Sequence, residues 1–459
     1  MKLFKINDVR LNRKKWALLI LSVVLIFGYI KLFYKTYNVN VVPKTADYII
    51  AIDVKRITNT ILWNIITTPS QWKIGGISSG KGGEINWRDM VKVPDYIFIF
   101  HTKNQPENAW YTVLQVKNEN DFVKALQQYQ FEKLNSNEYI SKEVGIHIFK
   151  NGDKILVGNA ATENKKYITT VAEELFIKKA YIAKETLAKI TDAQSHIAMH
   201  IAANGFLQQD AIVIGKFDKQ KMEINATIIP NKKYIFTQNN FKYTGSSFFT
   251  LGFTQPSSTV YNLLSNSSKV NISKALNLNI DSVLLQSNKW YSIDIIGMKP
   301  RVDSAITYTY DDDFNKVEKV VVNNVEEPAF NFTIAGDSIT HIYNYWQSNN
   351  KLEQTNAGQL FVPMPFVKSY CSIQNKNELN ITSANYQFMP TSQNINCIFF
   401  AHMLFSKTPK VLFNFLPDDV MKTIANIESL QIIAQQKQEQ ILLHAIFNKK
   451  KNDLPLVEW

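Results

Sequence analysis

Hydrophobic positions are densest near the start of the chain, where Trp16–Phe33 reads WALLILSVVLIFGYIKLF with Lys31 as its single charge. At about 1.5 Å per residue the stretch covers roughly 27 Å, enough to cross the hydrocarbon core of a bilayer. Lys2, Lys5, Arg10, Arg13, Lys14 and Lys15 precede it against one acid, Asp8. That excess marks the cytoplasmic side, so the amino terminus is expected inside and the remainder exported. No A-x-A-like site of small residues follows between Tyr29 and Tyr37, which favours an uncleaved signal anchor over a cleaved signal peptide.

Beyond the anchor the pattern alternates between period 2 and period 3.6. Asp47–Val54 (DYIIAIDV) reads as a strand, and Ile57, Ile61, Leu62, Ile65 and Ile66 lie at helical spacing. After a Gly- and Ser-rich loop (Pro69–Val93) come strands at Tyr96–Thr102 and Trp110–Lys117. A helix follows over DFVKALQQY with Asn120 or Asp121 as its N-cap. Strands at Gly145–Lys150 and Lys154–Asn159 flank Asn151-Gly152-Asp153, a strong hairpin signal. The order β-α-β-β-α-β-β approaches a ferredoxin-like split βαβ with one added strand. A longer helix is predicted over Glu173–Ile190.

Two segments echo each other without gaps: Ala211–Ile228 (AIVIGKFDKQKMEINATI) and Leu430–Phe447 (LQIIAQQKQEQILLHAIF). Each is an apolar strand, a turn carrying Lys and Gln, and a second apolar strand, as expected of an internal duplication. Before the second, Cys397–Ala401 reads as a strand and Pro417-Asp418-Asp419 opens a helix to Ile424. The shorter HIAMHIA strand precedes the first. The expected fold class is α+β: an N-terminal transmembrane helix, then two related antiparallel-sheet modules, ferredoxin-like in part. The expected boundaries are a basic tail (1–15), the anchor (16–33), a linker (34–45), and modules at 46–235 and 236–459.

Charge adds little. Of the net +12, residues 1–15 carry +5, leaving +7 on the exported part. Such an excess suits an anionic surface without specifying one. No basic stripe interleaved with aromatics occurs, so nucleic acid is not an expected partner, and Lys449–Lys451 reads as a solvated turn or tail. The two cysteines, Cys371 and Cys397, lie in apolar strand-like runs. Export permits a bridge between them, but buried free thiols are the simpler expectation.

Motifs for chemistry fail at their decisive positions. Ser79-Gly80-Lys81-Gly82-Gly83 is like the start of a P-loop, but Glu84 stands where Lys-Ser/Thr should continue. Asp311-Asp312-Asp313 with Asn315 fits the first ligands of a calcium loop, yet Lys316 replaces its Gly and Val322 its Glu. That run, between AITYTY and VEKVVV, reads as a charged hairpin turn. His196 and His200 share a helical face only if HIAMHIA is a helix, and it also alternates as a strand. His101, His147, His341, His402 and His444 are scattered through strand-like segments. No nucleophile elbow occurs, and Glu173-Glu174 and Glu326-Glu327 are ordinary surface pairs. No catalytic, cofactor or metal residue is therefore assigned.

The runs RKKWALLILSVVLIFGYI and VVPKTADYIIAIDVKRI, with the strand-helix-hairpin ending at Ile446, resemble the DUF3352-like families of membrane-anchored envelope proteins of Bacteroidota. The resemblance implies an anchored extracytoplasmic α+β protein with no assigned active site. Together these readings lead to a non-catalytic, single-pass inner-membrane protein with a periplasmic body. The bilayer is its partner through residues 16–33, and that body would bind or scaffold another envelope component or an anionic surface. The alternatives are an anchored hydrolase of cell-wall or surface polymers, and an extracytoplasmic carrier of lipids or other apolar ligands.

Overall fold

The computed structural model describes residues 22, 32–67, 90–143, 145–159, 165–234, 236–243, 245–254, 265–276, 279, 281, 288–310, 312–337, 339–364, 367–374, 376–387, 393–409 and 426–450. The basic tail, most of the apolar stretch 16–33, the Ser79–Gly83 run and the helix expected at 417–424 lie outside them. Among the described residues no helix is long and apolar enough to cross a membrane.

The α+β expectation is corrected by the balance of elements, with 50% of residues in strand and 20% in helix. The chain divides into two compact units, Met1–Ile201 and Ala202–Trp459. The break falls at the end of a strand, where the pattern had suggested 235/236.

The first unit contains β1 (Ala46–Asp53), β2 (Val91–Lys92), β3 (Tyr96–Thr102), β4 (Tyr111–Val116), β5 (Glu132–Lys133), β6 (Glu138–Ser141), β7 (Ile146–Asn151), β8 (Lys154–Asn159) and β9 (Ile197–Ile201). Their spatial order is β5-β6-β7-β8-β4-β3-β1-β9, with β2 also on β4, and every pairing is antiparallel. Its helices are α1 (Val54–Thr67), α2 (Glu119–Gln128), α3 (Lys165–Ala172) and α4 (Lys184–Thr191).

In a split βαβ the strand after the helix lies parallel to the strand before it with another strand between them, but here β3 pairs directly with β1 and antiparallel, and β9 takes the other edge of β1. A connection as long as residues 68–89 lets the chain regain the end of β1 where α1 began, so β3 returns antiparallel. Val54 N–H donating to Asp95 O at 3.0 Å fixes that return. The cap of α2 is Asn118, whose side chain accepts from the Asn120 and Asp121 amides, two or three residues earlier than expected. The helix expected over 173–190 is interrupted by a π-turn at Glu173–Ile177 and by Lys179 at φ 50°. The Gly152 turn forms as expected, with φ 62° and Asn151 opposite Lys154.

The second unit contains β10 (Ala211–Phe217), β11 (Lys221–Ile228), β12 (Asn239–Tyr243), β13 (Phe249–Thr254), β14 (Asn288–Tyr310), β15 (Lys316–Gly336), β16 (Leu352–Thr355), β17 (Gly358–Phe361), β18 (Ser369–Gln374), β19 (Glu378–Ser383), β20 (Gln393–Cys397), β21 (Phe399–Leu404), β22 (Ile427–Lys437) and β23 (Gln440–Lys449). The order is β10-β11-β23-β22-β21-β13-β14-β15-β19-β18-β17-β16, with β12 and β20 forming a separate pair. Its helices are α5 (Asn266–Leu276) and α6 (Ile339–Ser348). Ile339, Ile342 and Trp346 of α6 pack into a core with Tyr291, Ile334 and Phe361.

The two echoing segments do not mark two related modules, because both hairpins stand in this second unit, edge to edge. Ile212 pairs with Thr227, and at the corresponding positions Gln431 pairs with Ile446. Asn225 and His444, each the other's counterpart, face one another where β11 meets β23. The hairpins are thus related by a local two-fold through that pair.

Both thiols are free and buried, Cys371 on β18 and Cys397 at the end of β20. Burial pushes each up to about 12. Near pH 8 neither should react with a thiol reagent in the folded chain, and both should react on unfolding, as a colorimetric titration will count. Gly252 is tightly constrained, since a Cβ there would come within 2.5 Å of the Phe241 ring. Gly252→Ala should destabilise the second unit by about 1–3 kcal/mol in urea unfolding.

Candidate functional site: an exposed hairpin arm

Strands β14 and β15 pair from Asn288↔Gly336 to Tyr310↔Lys316, far beyond the strands beside them. β13 pairs β14 only as far as Ile295, and β19 meets β15 only from Asn331. Past those points, among the described residues, the ribbon has no neighbouring strand. From Val302 to Tyr310 alone it extends about 30 Å at the usual strand rise.

The arm's root is built from polar groups. One cross-strand row carries His402 of β21, Thr250 of β13, Asp294 of β14, Asn331 of β15 and Thr382 of β19. Asp294 accepts from Thr250 Oγ1 and from Tyr386 Oη, each at 2.8 Å. Burial, then the Asp294 charge, pushes the Tyr386 hydroxyl well above the usual phenol range, so it stays a donor. Thr382 Oγ1 donates to Asn331 Oδ1 at 2.7 Å, and Asn331 Nδ2 donates to Thr333 Oγ1 at 2.9 Å. Thr333 in turn donates to Asn380 Oδ1 at 2.7 Å. Where the arm emerges, the buried Glu327 is held by Arg301 at 3.3 Å and by Asn385 Nδ2 at 2.6 Å.

Beyond the root, apolar side chains face solvent. Val302, Ile306 and Tyr310 are 68%, 62% and 67% exposed, and Val320 and Val322 are 61% and 62% exposed. Ile306 opposes Val320, and Ser304 opposes Val322, so period 2 places these residues on one face. Lys316 Nζ lies 3.9 Å over the Tyr308 ring. Asp312, Asp313 and Asn315 fall in the connection between the strands, beside Phe314 at 84% exposure. The run expected to be a charged turn therefore caps an apolar arm. The signal for the arm itself was the alternation through AITYTY and VEKVVV, which continues on both sides of that turn.

A second feature is a trough of about 620 Å³ over the paired hairpins of the local two-fold. Ile212, Ile214, Ile433 and Leu442 give it apolar walls around Asn225 and His444, and Asp210 is the carboxylate in its lining. A cleft of about 520 Å³ in the first unit is likewise lined by one carboxylate, Asp95.

The histidines disperse. His196 and His200 flank and occupy one strand, where four residues span about 13 Å, too far for one ion. His196 Nε2 lies 2.8 Å from Thr60 Oγ1, His101 sits between Asp47 and the Pro106 carbonyl, and His147 lies 3.6 Å from Glu138. His341 is exposed on α6. Among the described residues no group of three His, Cys, Asp or Glu could hold a metal ion.

No family model and no curated protein matches the chain. A solved structure described as "Structure of crystal form III of TP0453" is similar over 53% of this chain and 87% of its own, at 11% identity and a TM-score of 0.25. At that score the likeness transfers neither fold nor function.

Burial holds His402 down to about 4, against an ordinary value near 6.5. Below pH 6.5 the unfolded chain takes up a proton that the folded chain refuses. Stability is therefore complete above 6.5 and is lost as pH falls toward 4, by about 1–3 kcal/mol. Urea midpoints measured from pH 7 to 4.5 should fall less steeply in His402→Gln than in the parent chain.

Proposed function

We propose that the chain is a non-catalytic envelope protein, held at the inner membrane through residues 16–33, with its amino terminus in the cytoplasm. Its exported body would engage another envelope component through the β14–β15 arm. The arm carries the reading. A two-stranded ribbon is at best marginal in water, and one that shows a row of β-branched and aromatic side chains gains most by being covered. Its root is fixed by hydrogen bonds, so those side chains are presented on a firm base. A row that carries Tyr308 and Tyr310 among valine and isoleucine, with Lys316 and Glu318 at its rim, has the make-up of a protein-binding face. The anchoring itself rests on the apolar stretch and the basic residues ahead of it.

A second reading, an extracytoplasmic carrier of apolar ligands, is favoured by the trough with its isoleucine and leucine walls. The size is right for a small ligand, but the trough is open and shallow-sided over a sheet face. For a hydrolase of surface polymers, neither cleft supplies the pair of carboxylates that glycoside chemistry uses.

The test is site-specific photocrosslinking in cells, with the probe at Tyr308 or Phe314 of the arm and a control at Val123, exposed on α2. The arm positions should yield one discrete adduct that the control does not. Replacing 302–322 by a short turn should abolish it and leave the melting temperature within a few degrees, because the deleted residues touch no core. An identical adduct pattern at Val123 would remove the arm from the function.

A further inference from the structure

At the end of the apolar stretch and just past it, residues 32–36 are laid along the outward face of α1. Asn59 Nδ2 donates to Leu32 O at 2.6 Å, and Lys55 Nζ donates to Tyr34 O. Lys35 pairs with Asp53, whose carboxylate also accepts from the Arg56 amide at 2.8 Å and so caps α1. The Thr36 amide and hydroxyl both donate to Asp95 Oδ2, at 2.8 and 3.3 Å. Followed backwards from Lys35 to Leu32, these contacts climb the helix from Asp53 to Asn59. The chain thus arrives alongside the C-terminal half of α1.

That half is apolar on the side it shows to solvent. Leu62 and Trp63 are 44% and 66% exposed, and Leu32, Phe33 and Tyr34 beside them are 41%, 57% and 65% exposed. The buried side of the same helix is carried by Ile57, so these residues are not its core face.

We propose that this patch, the C-terminal half of α1 with Phe33 and Tyr34, seats the first unit on the lipid surface at the point where the anchor enters. The inference rests on the anchored reading and adds which face of the body meets the bilayer. Its argument is distance. Leu32 belongs to the stretch read as the anchor, so its surroundings lie at the edge of the hydrocarbon. Trp63 lies one helical turn from Asn59 toward the side from which the chain arrives, about 6 Å along the axis, and Tyr34 lies beside Lys55, about as far the other way. The two rings therefore bracket the hydrocarbon edge, within a headgroup layer's depth of about 5–8 Å, where amphipathic aromatic rings are most favoured. Lys35, Lys55 and Arg56 stand beside it against Asp53 and Asp95, which leaves one net positive charge at the patch, of the sign that phosphate headgroups attract.

The experiment uses the full chain in vesicles of phosphatidylethanolamine and phosphatidylglycerol. An environment-sensitive fluorophore is attached at Trp63→Cys, with Val123→Cys on α2 as the aqueous control. The native thiols are buried and stay unlabelled. Leu62→Cys is the second reporter, should Trp63→Cys lower the yield of folded chain. Nitroxide lipids labelled near the headgroup should quench position 63 at least about threefold more than position 123, with a blue-shifted emission at 63. Equal aqueous accessibility at 63 and 123, in a chain that resists alkaline carbonate extraction, would overturn the seat and leave the anchor standing. Protection at 63 from aqueous quencher without lipid quenching would assign the patch to a protein contact and also overturn it. Release by carbonate would overturn the anchored reading and the seat together.

Discussion

The second unit depends on the row of polar side chains that crosses its sheet at His402, Thr250, Asp294, Asn331 and Thr382. In a sheet of apolar strands, sliding one strand by two residues would cost little, since Val, Ile and Phe exchange neighbours readily. Here such a slip would strand the buried Thr250 hydroxyl and Asn331 amide and the half-buried Asp294 carboxylate without partners, at about 1–3 kcal/mol for each buried group left unsatisfied. A one-residue slip would be worse, because it turns every side chain to the opposite face. The row's own bonds hold β14 to β13 and β15 to β19, and the register of β14 against β15 is closed by Tyr386 donating to Asp294 and by Arg301 pairing with Glu327. Since β14 and β15 continue as the arm, that register also sets which residues the arm displays.

Local features were legible in the chain because they depend on neighbours in sequence. Period-2 alternation located β1, β3, β4, β8 and the paired hairpins, and Gly152 marked a turn that only a residue tolerant of positive φ makes cheaply. What escaped was non-local. Nothing near Asp47–Val54 says that β1 will lie between β3 and β9, so an order of elements compatible with a ferredoxin-like sheet gave the wrong pairing. The segment 173–190 has helical composition throughout, and its interruption at Glu173–Lys179 is set by tertiary packing. The repeat between 211–228 and 430–447 was visible too, but two hairpins of one sheet and one hairpin from each of two modules look alike as strings. Their pairing through Asn225 and His444 distinguishes them.

The candidate site was half legible. Asp311–Asp313 could be placed in a turn because the calcium template failed and both flanks alternated. That the flanks extend past every neighbouring strand was invisible, since the polar groups that end the sheet's support, Glu327 and Asn385, are far apart in sequence from Arg301 and Asp294. Exposure of Ile306 and Val320 is likewise a property of what is not beside them. Identical strings inside a sheet would be core.

The composition of the arm argues for a partner other than a second copy. β-Branched residues such as Val320 and Val322 favour an extended backbone and so support a ribbon that is marginal by itself. The same residues make a long free edge that invites pairing between identical chains, a hazard that native sheets blunt with charge. In this arm the blunting sits at the tip, where Asp312 and Asp313 fall between the strands, and along β15, where Lys316, Glu318 and Lys319 interrupt the apolar positions. Two arms packed side by side with their tips together would bring the acidic runs into contact. Packed head to tail, each acidic tip would approach the exposed Glu326 at the other's root, Glu327 there being buried and paired with Arg301. Both arrangements are opposed by like charge. A different surface, apolar at its centre and basic at one end, meets no such opposition, and that is the complement the arm presents.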